Sequence, residues 1–295
     1  MIRRYLPRFL VMAVVSASLL LFFKWHVVPS GSKSLRISTE EEIIASIRHG
    51  LRGHSSCITV RFRHSDDVLD ILPEAAGAWI EAALRETDDP TEGDYIRYQY
   101  GGYEMECSAE PDGDQKSYRV EIRPKYYLYL IQEEAVTAEL QRVYAEFGFD
   151  QDSSDFDKAE AIYAFVCSHV QYDQVHKKNT YFHMKSTAYS ALIRHTATCQ
   201  GYSVLLYRML RDNGIRCRVI TGTASGETGT EYHAWNLAEV NGRYYYLDAT
   251  WDAGKPRENW TCFLKGAADF PDHEPDPQFL TSSFLREYPL FSTPA

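Results

Sequence analysis

Two alternating segments, Tyr232–Val240 and Tyr244–Thr250, stand on either side of Asn241-Gly242. Asn-Gly accepts positive φ at both central positions of a type I′ turn, which makes it the strongest short-range hairpin signal. A two-residue turn fixes the register. Val240 faces Arg243 and, continuing outward, Trp235 faces Asp248 and His233 faces Thr250. His233 and Asp248 then share one sheet face as diagonal neighbours, about 7–8 Å apart at the backbone and within reach of an imidazole and a carboxylate. Asp252, opposite Glu231, is an equally placed diagonal neighbour, and register alone does not choose between the two aspartates. A three-residue loop or a bulge would turn one face over and break the pairing.

Upstream, Cys199 opens a segment that is apolar on most sides: Val204, Leu205, Leu206, Tyr207, Met209 and Leu210. Such a helix belongs in the interior, and Asn213-Gly214 closes it. A thiol at a helix N-terminus is favoured as its thiolate. The Cys199 N–H is a natural donor to an oxyanion. Gly201 lets a substrate backbone or a neighbouring loop approach closely. A cysteine nucleophile needs a base, and the base needs an orienting group; Cys199, His233 and one of the two aspartates supply all three. Taken singly, Cys199 reads as a core thiol, His233 as a structural histidine and Asp248 as a turn residue. Their combination outweighs those readings.

The chain has 295 residues, enough for about two domains. Its formal charge of −10 repels phosphate backbones, so nucleic acid is not expected as a partner. Six cysteines occur without a CxxC pair, which argues against a zinc knuckle or a thioredoxin motif. Cys57 and Cys107 lie in one region and could pair; buried thiols are the expectation for most of the others. His169, His176, His183 and His195 stand in irregular contexts that suit solvated or structural roles rather than a metal. His273, between Asp272 and Glu274 and near Asp276, reads as part of a polar, proline-broken surface loop rather than a calcium loop. No cofactor and no metal are expected.

Arg3, Arg4 and Arg8 precede an uncharged run from Phe9 to Phe23. Positive charge before an apolar run keeps the N-terminus cytoplasmic. The bulky Leu19–Phe23 and the flanking Lys24 and Trp25 favour a single-pass signal anchor over cleavage near Ser16-Ala17-Ser18, although a spanning helix needs about 20 residues. Residues 1–29 are thus a membrane segment, with the remainder outside the cytoplasm, or secreted if the segment is cleaved. Residues 30–130 form a small α+β domain of unknown role. It has helices at Glu40–Leu51, capped by Thr39, and at Val68–Leu84. Strands are expected at Cys57–Arg63, Tyr95–Tyr100, Tyr103–Cys107 and Tyr118–Ile122. Residues 131–295 form the second domain, with helices at Gln132–Phe147, Lys158–Val170 and Thr187–Ile193 and a strand at Cys217–Thr221.

Three motifs in order, Thr-Ala-Thr-Cys199-Gln-Gly-Tyr, Glu-Tyr-His233-Ala-Trp-Asn and Tyr-Tyr-Leu-Asp248-Ala-Thr-Trp-Asp, resemble the core of the transglutaminase-like superfamily, in particular its exported bacterial members. The resemblance covers residues 155–275. It extends to Tyr172-Asp173 and to a closing segment made of Thr261–Leu264 and the later Asp272-His273. It implies an α+β, papain-like core in which the cysteine helix packs on an antiparallel sheet carrying His and Asp. It selects Asp248 over Asp252 as the third member of a Cys199–His233–Asp248 set. It also implies a minor role for the Tyr172 hydroxyl at the substrate or oxyanion. The implied chemistry is thiol-dependent acyl transfer from an amide of a protein or peptide, cell-wall peptides included. A non-catalytic binding or assembly module on the same fold is the competing expectation.

Overall fold

The computed structural model describes residues 3–5, 39–226 and 229–295. They group into two compact units, one made of residues 1–87 with 100–126 and the other of residues 88–99 with 127–295.

The first unit is an antiparallel sheet with two helices. Strands β1 (Arg3–Tyr5), β2 (Ile58–His64), β3 (Tyr100–Asp112) and β4 (Gln115–Tyr126) order as β1-β3-β4-β2. Strictly alternating burial along β2 turns one face inward. Helix α1 (Glu40–Arg52) starts at Thr39, whose hydroxyl accepts from the Glu42 N–H while the Glu42 carboxylate accepts from the Thr39 N–H. That reciprocal cap satisfies two N–H groups the helix leaves open. Helix α2 (Leu72–Ala83) carries Pro73 in its first turn, where no N–H is needed. Arg48 of α1 donates to the carbonyls of Ala82 and Ala83. The expected membrane segment, Phe9 to Phe23, lies outside the described residues. Among the described residues, no helix is long and apolar enough to cross a membrane.

The second unit holds α3 (Asp94–Arg97), α4 (Leu130–Phe147), α5 (Asp155–His169), α6 (Ala188–Ile193), α7 (Cys199–Asp212) and α8 (Ser282–Glu287). A two-stranded parallel pair joins β5 (Gln171–Tyr172) to β6 (Thr196–Ala197). The larger sheet contains β7 (Cys217–Gly226), β8 (Gly229–Val240), β9 (Arg243–Leu247) and β10 (His273–Pro275), antiparallel in the order β10-β7-β8-β9. The fold class is α+β, with α7 laid on the sheet. Every residue of α7 from Gly201 to Leu210 is buried, as its sequence requires. Arg208, the one charged side chain among them, is paired with Asp212 at 2.9 Å.

Two expected strands need correction. Tyr95–Tyr100 is not a strand, because Asp94 is buried and accepts from the Arg218 guanidinium at 2.8 Å and the Val219 N–H at 2.9 Å. Those tertiary bonds fold residues 94–97 into a helical turn. The segment Tyr244–Thr250 stops pairing at Leu247, since the Asp248 carboxylate turns back to accept the N–H groups of Thr250 and Trp251. Such Asx turns divert a chain from a ladder. All six cysteines are free; Cys57 is exposed and Cys107 buried.

Candidate active site

The hairpin turn behaves as its sequence demands. Asn241 and Gly242 have φ of 51° and 75°, and the ladder runs from Val240↔Arg243 to Asn236↔Leu247. One residue past the last pair, the same register sets Asp248 opposite Trp235 and diagonal to His233. The His233 Nε2–H donates to Asp248 Oδ2 at 2.7 Å, and both side chains are almost wholly buried. Asp252 has left this face. Its carboxylate accepts from the N–H groups of Thr261 and Cys262, each at 2.9 Å, and from the Tyr163 hydroxyl at 2.8 Å. The choice the register left open is thus decided by geometry: Asp248 holds the histidine, and Asp252 ties the following loop.

Cys199 is the first residue of α7, with Thr198 as N-cap. The Thr198 side chain does not cap the helix; its hydroxyl lies 3.3 Å from that of Ser186. The first-turn N–H groups therefore remain available to negative charge beside the thiol. Cys199 is half-buried, and its sulfur is near enough to the His233 imidazole to help raise the His233 pKa. With Nε2 committed to Asp248, Nδ1 is the ring nitrogen left for sulfur. Burial disfavours the charged imidazole, but the Asp248 carboxylate, together with the Cys199 sulfur, outweighs it and raises the His233 pKa to about 10. Burial alone would raise the Asp248 carboxyl; His233 and His273 hold it below the usual carboxylate range. Burial pushes Cys107 up to about 11 and Cys262 up to about 12, as expected of inert core cysteines.

Several residues fix the distance between helix and sheet. The Asn236 amide donates to the Ser203 carbonyl at 2.9 Å and the Arg218 carbonyl at 3.3 Å, pinning α7 to β7 and β8. A Cβ on Gly201 would stand 2.7 Å from the Ala197 Cβ and 3.0 Å from the Lys185 carbonyl oxygen. The glycine therefore serves the neighbouring loop, one of its two expected uses. Tyr172 pairs with Ala197, two residues before the thiol. Burial and the nearby Cys199 raise its hydroxyl above the ordinary tyrosine range.

His273 corrects a sequence expectation. It is a buried strand residue, not part of a surface loop, and its Nε2–H donates to Asp248 Oδ2 at 3.0 Å. Its proximity to the hairpin follows from β10 pairing with β7, a long-range contact that no local pattern announces. The other singled-out histidines lie elsewhere. His169 and His195 contact each other at 2.8 Å, His176 contacts Asp173 at 2.9 Å and His183 stacks on Tyr127. His233, Asp248 and His273 offer donor atoms within 4.8 Å of one another. However, the separations of 2.7 and 3.0 Å are those of N–H···O bonds. Ligands at about 2.0–2.1 Å around a tetrahedral zinc would stand about 3.3 Å apart.

Residues 144–249 match the family model of the transglutaminase-like superfamily. This stretch is a transglutaminase-like domain. It contains Cys199, His233 and Asp248 and ends before His273. The chain is 31% identical over 110 residues to the kyphoscoliosis peptidase of Mus musculus and 30% identical over 110 residues to that of Homo sapiens. Each alignment covers 34% of this chain and 16% of the relative, so the chain spans about a sixth of the length of these curated relatives. A solved structure described as "Crystal structure of a TGase" is similar at 18% identity and a TM-score of 0.37, over 52% of this chain and 45% of that one.

Proposed function

We propose that this protein is a thiol-dependent acyl-transfer enzyme acting on amide bonds of proteins or peptides, with Cys199 as nucleophile, His233 as acid–base and Asp248 as the orienting carboxylate. The observation that carries the reading is the buried His233 imidazole, bonded to the Asp248 carboxylate and lying beside the Cys199 sulfur at the start of α7. In this reading the sulfur attacks the amide carbonyl carbon, and the oxyanion is met by the Cys199 N–H, with the Tyr172 hydroxyl as a second donor. As the C–N bond breaks, the His233 imidazolium gives its proton to the leaving amine. Water or an amine then attacks the thioester, with His233 taking its proton, and the thiolate is released. Asp248 keeps the imidazole in the tautomer this requires. The relatives' name, peptidase, favours water as the second acceptor.

An N-terminal anchor at residues 9–23 would set this domain outside the cytoplasm, among protein and cell-wall peptide substrates. The supporting feature is the uncharged run behind Arg3, Arg4 and Arg8.

Incubation with peptide amides and rapid acid quench tests the chemistry by intact mass. A thioester adduct on Cys199 is expected, lost in Cys199→Ala and accumulating when water is replaced by a poor acyl acceptor. A protein that turns over amides equally well as Cys199→Ala would overturn the proposal.

A further inference from the structure

We propose that His273 is a positioning residue for the Cys199–His233–Asp248 site, donating to the Asp248 oxygen that holds the base. The inference rests on the proposed catalytic reading and extends it to a residue outside the matched superfamily segment.

Asp248 is held at four points. Its Oδ1 accepts the N–H groups of Thr250 at 2.9 Å and Trp251 at 3.3 Å. Its Oδ2 accepts His233 at 2.7 Å and His273 at 3.0 Å. Without His273, the oxygen that aims His233 has that imidazole as its one partner, and only the Oδ1 bonds to Thr250 and Trp251 resist a tilt of the carboxylate. A fixed acceptor fixes the donor; where such partners orient metal ligands, losing one typically costs roughly 10–100-fold in affinity or activity.

The His273 ring is itself fixed. It stacks on Phe270 at 3.8 Å between centroids and packs against Trp251 at 4.4 Å and Trp235 at 5.0 Å. Among the described residues its Nδ1 is buried with no partner, so a proton there would have no acceptor. The tautomer that fits carries its hydrogen on Nε2, facing Asp248. A buried polar atom left open is a cost that packing alone does not require, which marks the ring as placed for its other nitrogen.

The sheet edge is built to deliver this ring. β10 is bonded at both ends: the Ser225 N–H donates to the Asp272 carbonyl at 2.9 Å, and the Asp276 N–H to the Thr221 carbonyl at 2.8 Å. Between them, a Cβ on Gly222 would lie 2.1 Å from the Glu274 carbonyl oxygen. Gly222 is also the ladder partner of His233. The missing side chain lets β10 lie close enough for His273 to reach across to Asp248.

The test uses the full chain with His273→Leu, His273→Gln and Gly222→Ala, beside His233→Ala. Readouts are the iodoacetamide alkylation rate of Cys199, the deshielded imidazole N–H resonances by proton NMR, and the melting temperature. His273→Leu should slow alkylation roughly 10-fold or more, delete one deshielded resonance and shift the His233 one. His273→Gln, which keeps an N–H at similar reach, should recover most of the rate. Gly222→Ala should slow alkylation in the same direction and add little to His273→Leu, because both act through one contact. A His273→Leu protein that melts lower but keeps the wild-type rate and the His233 resonance, while His233→Ala loses the rate, would retire the positioning role and leave the catalytic reading standing. A His233→Ala protein with the wild-type rate would remove both. If His273→Leu does not fold, His273→Gln and Gly222→Ala decide: unaltered rate and resonances in both overturn the proposal.

Discussion

The Tyr163 hydroxyl lies 2.8 Å from the backbone carbonyl of Asp248 and 2.8 Å from the carboxylate of Asp252, tying together two aspartates that do different work. Both are fully buried. The first has its carboxylate on two imidazoles and a turn; the second has its carboxylate on the loop that follows.

Substitution should separate them. Asp248→Asn keeps the shape but loses the acceptor that sets the His233 tautomer, so alkylation and turnover should fall roughly 10²–10⁴-fold with a modest change in melting temperature. Asp252→Ala strands the N–H groups of Thr261 and Cys262, each at about 1–3 kcal/mol, while the Tyr163 hydroxyl keeps the Asp248 carbonyl. It should therefore act first on stability, measured by denaturant unfolding. The reverse pattern would exchange their roles.

Stability should depend on pH through the same pair. His233 is raised to about 10, above its ordinary value near 6.5. Its contribution is complete below about 6.5 and fades as pH rises through about 10. Asp248 is lowered, so its contribution is complete above about 4 and is lost as pH falls through the folded value. The two together predict greatest stability between about pH 4 and 6.5. In His233→Ala, the decline in melting temperature from pH 6.5 to 10 should flatten; an unchanged slope would place the linkage elsewhere.

Asn236→Leu should loosen α7 from the sheet, since it deletes the amide that reaches Ser203 and Arg218. We expect a loss of about 1–3 kcal/mol and slower Cys199 alkylation in protein that is still folded by circular dichroism. Gly201→Ala should cost a similar amount through overpacking, because Lys185, Thr187 and Ala197 leave no room.

Much of this geometry was legible in the chain. Asn241-Gly242 determined a register that held to Asn236↔Leu247, and the apolar run after Cys199 required a buried helix. Local signals failed where tertiary bonds overrode them. The Asx turn of Asp248 ended β9 early, and the Arg218 and Val219 bonds of Asp94 replaced a strand with a helical turn. His273 reads as a loop residue because acidic and proline neighbours dominate its local pattern. Its burial is imposed by Gly222 and the β7 edge, some fifty residues earlier in sequence. Glycine in a strand signals close backbone approach, and Gly222 was the available hint.

The N-terminal run gives a prediction independent of the site. If residues 9–23 span a membrane, the full chain should remain in the membrane fraction after alkaline carbonate, and removal of residues 1–29 should release it. Release of the full chain would instead favour a cleaved segment.

The pairing of thiol with imidazole is read most directly by alkylating all six cysteines with iodoacetamide near neutral pH and following each by peptide mass. Cys57 is exposed and serves as the internal reference for an ordinary thiol. Cys199, though half-buried, should react well ahead of Cys57, and His233→Ala should abolish that lead. Equal rates at the two cysteines, unchanged by His233→Ala, would contradict the account.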